Sequence, residues 1–221
     1  MVRVFCSGRV DPAAIVGSLL KGSDGVMVLG CKSGECHYVN GNCYAEKRIK
    51  WVKRFLQLIE INPERIFNDW LSTQEGEKLV SFINQFTGKI KELGKLGESE
   101  GLGSDEVKLR LGALREVLND ERLRWLLGIE SEFSGKENAF GEKVTEEEYN
   151  QIVVESFLTE YKRKKILLTI RDEPMSVEAI SQKLNLPMNE VLRDVVVLNS
   201  KGSVILDRVE DDIPLYLGMR T

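Results

Sequence analysis

Two short β-branched apolar runs, VRVF (2–5) and GVMVLG (25–30), have the length and composition of buried strands. Between them, Asp11-Pro12 predicts a helix start, with the aspartate as cap and the proline at the first helical position. That helix should run to about Leu20, and strand, helix, strand predicts parallel pairing. From 44 to 60 the apolar positions recur at helical spacing. Ile49, Val52, Leu56 and Ile59 share one face, and Lys47, Arg48, Lys50 and Arg54 the other. Asn62-Pro63 interrupts the pattern before a third strand, RIFNDW (65–70). A helix over 73–93 then places Leu79, Phe82, Ile83, Phe86 and Ile90 at core spacing. The expected fold class is α/β: a small parallel sheet with flanking helices.

Beyond this part the pattern changes. GKLGESEGLGSD (94–105) reads as a linker, and helical stretches follow over about 106–118, 121–133 and 145–170, with breaker-rich SGKENAFGEK (134–143) between the last two. Residues 161–217 have the order helix, helix, helix, two strands. Ser176 caps the second helix and Asn185-Leu186-Pro187 turns into the third. VILD (204–207) and IPLYL (213–217) form a hairpin around Asp211-Asp212. The order resembles a winged helix-turn-helix. Three domains are expected: 1–93, 94–160 as an acidic helical connector, and 161–221 as a winged-helix-like module.

Charge refines this picture. The 221 residues carry a net charge of −4, and 94–160 hold 8 basic against 16 acidic side chains. In the third helix of the last module, PMNEVLRDVVVLNS (187–200), one arginine faces Glu190 and Asp194, and the hairpin tip reads EDD. DNA affinity comes largely from cations neutralising phosphates, so a protein-interaction role is expected for this module and no nucleic-acid partner. No run approaches the ~18 apolar residues of a membrane span. The start, MVRVFCSG, lacks the regions of a signal peptide, so a cytoplasmic location is expected.

In a reducing compartment, cysteines point to metal or redox chemistry more than to stapling. Three of the four lie in GCKSGECHYVNGNC (30–43) beside the single histidine, His37. Cys6 and Cys31 each directly follow a predicted strand. Parallel strands would bring both to one carboxyl edge, where Cys36 and Cys43 fold back. The expected ligand set is Cys6, Cys31, Cys36 and Cys43, around an iron–sulfur cluster or a structural zinc, with His37 as an alternative ligand. The other reading is four thiols with no metal. One histidine leaves no base for a cysteine nucleophile, and no phosphate-binding glycine loop occurs.

CSGRVDP (6–12), GSDGVMVLGC (22–31), CKSGECHYVNGN (31–42), AEKR (45–48), INPERI (61–66) and EGEK (75–78) together resemble the iron–sulfur delta subunit of methyl-viologen-reducing hydrogenase, over about residues 2–93. The resemblance implies a [2Fe-2S] cluster. It also implies electron transfer between a partner oxidoreductase and a heterodisulfide-reductase-type flavoprotein in an anaerobic, bifurcating assembly. Cys6, Cys31 and Cys36 carry over from the family pattern. Cys43 rests on spacing alone, and the family's upstream cysteine pair has no counterpart in this sequence. The alternatives are a cluster-free or zinc-stabilised scaffold and a metal-sensing winged-helix regulator.

Overall fold

A computed structural model describes residues 1–130, 137, 141 and 143–219. Their contacts form two units, Met1–Leu111 and Gly112–Thr221.

The first unit is built on a two-stranded parallel sheet. Helix α1 (Pro12–Leu20) begins as the sequence predicts, with the Asp11 carboxylate accepting the Ala13 N–H at 2.8 Å and Pro12 in the first turn. Strand β1 (Val26–Gly30) pairs in register with β2 (Ile66–Trp70), from Val26 opposite Ile66 to Gly30 opposite Trp70. The crossover between them contains α2 (Gly41–Leu58), which buries Ile49, Val52, Leu56 and its neighbours Phe55 and Trp51. Helix α3 (Gly76–Leu93) packs Phe82 and Phe86 on Phe67, with ring centroids 5.4 and 5.6 Å apart. Ile83, expected in the core, is exposed.

The strand expected at 2–5 does not form. Val2 is 88% and Phe5 94% exposed, so the segment buries too little to offset the entropy of ordering it. The parallel unit is therefore β1–α2–β2, not a pairing of 2–5 with 25–30.

The stretch expected to be a linker is also different. Residues 93–100 wrap around Arg65, whose guanidinium donates to the carbonyls of Asp24, Gly94 and Lys95, to Ser99 and to both Glu100 oxygens. The Arg65 and Glu100 side chains are 0% and 3% exposed, 2.7 Å apart. Burial raises the Glu100 pKa, but Arg65 and the Asn62 N–H outweigh it and lower the carboxyl to about 2. Helix α4 (Ser104–Leu118) follows.

In the second unit, α5 (Glu121–Gly128) is capped by Asp120, and α6 (Glu146–Thr169) opens on a reciprocal Thr145–Glu148 capping box. Residues 131–133 of the predicted helix and most of 134–143 lie outside the described residues. Helix α7 (Val177–Leu184) is capped by Ser176, and α8 (Met188–Ser200) follows. Strands β3 (Val204–Glu210) and β4 (Ile213–Gly218) pair antiparallel through Asp211 and Asp212, both at positive φ. Met175 adds an antiparallel bridge to Tyr216 of β4. Beneath α8, the buried Asp194 sits 3.2 Å from both Lys162 and Arg163 of α6. No helix among the described residues is long and apolar enough to cross a membrane.

Candidate metal centre

Cys6 reaches the carboxyl end of β1 without a strand to carry it there. It caps a short 3-10 turn, Ser7–Arg9, and that turn is fitted to the sheet and to α2 by glycines. A Cβ on Gly8 would stand 2.7 Å from the Gly41 carbonyl oxygen, and one on Gly30 would stand 2.5 Å from Ser7 Oγ. Arg48 Nη1 donates to the Gly8 carbonyl at 2.8 Å, strapping the turn to α2. Arg48 is thus an anchor as well as part of the basic face.

The turn brings Cys6 Sγ to 3.9 Å from Cys36 Sγ. Gly41, the first residue of α2, makes room for the pair: its Cβ would lie 2.3 Å from Cys6 Sγ and 3.3 Å from Cys36 Sγ. Cys6 is 8% exposed and Cys36 is half-buried. Backbone N–H groups of Asn42 foremost, then of Tyr38 in the loop before α2 and of Gly41 at its start, lower the Cys36 pKa below the ordinary thiol value against an opposing desolvation. These amides favour a thiolate.

Cys31 and Cys43 are organised by a different residue, one that the sequence did not single out. Asn42 is buried, and its Nδ2 donates to the carbonyls of Cys31 (3.2 Å) and Lys32 (2.9 Å). Its Oδ1 accepts the Cys43 N–H at 2.9 Å. One amide therefore fixes the chain leaving β1 against the first turn of α2. The Lys32–Glu75 ion pair, at 2.6 Å, ties the same loop to the approach of α3. An asparagine at the opening of a helix after a cysteine-rich loop is the sequence signal for Asn42.

The Cys31 side chain is half-buried and that of Cys43 exposed. His37 is exposed and stacks edge-on against Tyr38. Among the described residues, no three His, Cys, Asp or Glu side chains are grouped so as to hold a metal ion. The pair does fit one: two thiolates bound at about 2.3 Å to a tetrahedral metal lie about 3.8 Å apart. Ser7 Oγ is buried at the same rim without a hydrogen-bond partner among the described residues, a free donor near the two sulfurs. Phe5, Tyr38 and Tyr44, with Arg9 and Arg48, line an adjoining cleft of about 480 Å³ that reaches Cys6.

Residues 1–94 match the family model described as methyl-viologen-reducing hydrogenase, delta subunit. The iron-sulfur subunit of an F420-non-reducing hydrogenase from Archaeoglobus profundus is 45% identical over 94 residues, 42% of this chain and 69% of that protein. The iron-sulfur subunit of the vhu F420-non-reducing hydrogenase from Methanocaldococcus jannaschii is 38% identical over 94 residues, 42% of this chain and 70% of that protein. One subunit of the ferredoxin/F(420)H(2)-dependent CoB-CoM heterodisulfide reductase from Methanosarcina acetivorans is 39% identical over 97 residues. That match spans 44% of this chain but only 12% of the reductase polypeptide.

Proposed function

The chain belongs to the methyl-viologen-reducing hydrogenase delta-subunit family, and from that premise we propose that it is an electron-transfer subunit with an iron–sulfur centre at the carboxyl rim of its parallel sheet. The centre is of the [2Fe-2S] type. Cys6 and Cys36 are its first two ligands, and Cys31 and Cys43 the other two. When bound, such a centre supplies reversible one-electron chemistry. The observation that carries this reading is the 3.9 Å contact between Cys6 and Cys36 Sγ, held open by Gly41.

The surrounding residues serve that role. Asn42 fixes both the loop bearing Cys31 and the helix turn bearing Cys43. The α2 amides stabilise charge on the Cys36 sulfur, and the Ser7 hydroxyl is the buried donor at hand to tune a sulfur ligand. Exposed Phe5, Tyr38, Val39 and Tyr44 keep the rim accessible to a docking protein. The partners are an oxidoreductase and a heterodisulfide-reductase-type flavoprotein, in keeping with the names of the hydrogenase and reductase relatives.

The second unit is an interaction module with winged-helix arrangement. Three helices followed by a hairpin, with Met175 bridging to β4, support that arrangement. A protein partner is favoured over DNA because Lys162 and Arg163 are engaged by Glu190, Asp194 and Glu160. The outer side of α8 is moreover apolar, with Met188, Leu192 and Val196 about half exposed.

Anaerobic reconstitution of the full chain with iron and sulfide tests the ligand assignment. Wild type should hold iron and sulfide and absorb in the visible, and Cys6→Ser or Cys36→Ser should fall to background. Retention of iron in both variants would remove the assignment. A colourless protein holding only zinc would leave the scaffold reading.

A further inference from the structure

The Cys6–Cys36 pair has a second chemistry open to it, one that needs no metal. We propose that the two thiols form an exchange site for low-molecular-weight disulfides, closing in the metal-free chain into a reversible Cys6–Cys36 disulfide.

The geometry favours this pair over the other combinations. Cys6 and Cys36 are thirty residues apart in sequence, yet their sulfurs already touch at 3.9 Å. Bond formation requires closure from that contact to about 2.04 Å. Cys43 Sγ instead lies 3.6 Å from Asn42 Oδ1, and the loop of Cys31 is held by the Asn42 amide. Gly41 presents no side chain between the two touching sulfurs, and any other residue there would wedge them apart. The two thiols also differ in access. Cys36 is half-buried in a surface loop, whereas Cys6 is 8% exposed behind it. That asymmetry assigns Cys36 as the attacking sulfur and Cys6 as the resolving one.

The reaction balances with the external disulfide as oxidant. Cys36, as thiolate, attacks one sulfur of the external disulfide RSSR. A mixed disulfide forms and one RS⁻ leaves. Cys6 then loses its proton and attacks Cys36 Sγ, forming the internal bond and expelling the second RS⁻, and both leaving thiolates are protonated. Two protein thiols are oxidised, and one RSSR is reduced to two RSH. Closure removes both sulfurs from metal binding, so the two chemistries exclude each other.

The test is made on the full chain, reduced and treated with chelator, so it is independent of cluster formation. Glutathione disulfide is the probe, with thiols mapped by peptide mass spectrometry after acid quench. Wild type should accumulate a Cys6–Cys36 cross-linked peptide that dithiothreitol reverses. Cys6→Ser should instead trap a stable glutathione adduct on Cys36, and in Cys36→Ser the adduct on Cys6 should form at least tenfold more slowly than that one. The wild-type cross-link is read without any variant. Cross-links that involve Cys31 or Cys43, a lasting glutathione adduct on wild-type Cys36, or an unreactive Cys36 would each overturn the proposal. So would Cys6 in Cys36→Ser reacting as fast as Cys36 does in Cys6→Ser.

Discussion

At the scale of single residues, side chains without chemistry of their own decide where the sulfurs go. Asn42 joins the Cys31 loop to α2, and Gly8, Gly30 and Gly41 let the turn after Cys6 approach both β1 and α2. Gly41→Ala is predicted to separate Cys6 from Cys36, because its Cβ would fall 2.3 Å from Cys6 Sγ. Both iron loading and disulfide closure should drop in that variant while circular dichroism stays near wild type. Unchanged loading and closure would show that the glycine is not the spacer. The other decisive pair is Arg65–Glu100. The Glu100 pKa falls to about 2, below its ordinary 4.5, so its contribution is fully present above about pH 4.5 and is lost as pH falls toward 2. Glu100→Ala leaves the fully buried Arg65 without its carboxylate, at a cost of roughly 3–5 kcal/mol near neutral pH. It should also flatten the acid limb of the stability profile. Denaturant melts across pH measure both effects, and a wild-type acid limb in the variant would contradict this account.

At the scale of elements, what was legible in the sequence is what is encoded locally. Asp11-Pro12 opens α1, Ser176 caps α7, and the apolar spacing of α2 marks its buried face, because cap and stripe are set by residues within a few turns. The errors share a cause of the opposite kind. VRVF has the composition of a strand but pairs with none of the described residues, and GKLGESEGLGSD has the composition of a linker but meets Arg65, thirty-five residues away from Glu100. Neither the missing partner strand nor Arg65 is visible in a short window. The site divides the same way: cysteine spacing marks the loop, but the Cys6–Cys36 contact depends on a 3-10 turn and three glycine approaches that no periodicity reveals. In the second unit, Asp194 is buried between Lys162 and Arg163, so Asp194→Ala removes the shared anion of two cations. Glu190 and Glu160 still pair the two cations, so a loss of about 1–3 kcal/mol is expected by chemical denaturation, whereas Leu192→Glu on the exposed side of α8 should change stability by about 0.5 kcal/mol or less. Equal effects of the two substitutions would refute this division of α8 into an anchored and a free face.

At the scale of the whole molecule, the chain joins a family-defined first unit to a second unit with its own fold, and the proposed roles divide accordingly. The first carries the redox chemistry and the second holds a protein partner. The central claim is that the sulfurs at the rim of the parallel sheet hold an iron–sulfur centre. Electron paramagnetic resonance of the anaerobically reconstituted and dithionite-reduced full chain tests it most directly, with iron and acid-labile sulfide counted on the same sample. The account predicts the rhombic signal of one reduced two-iron centre, with iron and sulfide in equal amounts. A silent spectrum from a chain that binds zinc but neither iron nor sulfide would contradict it.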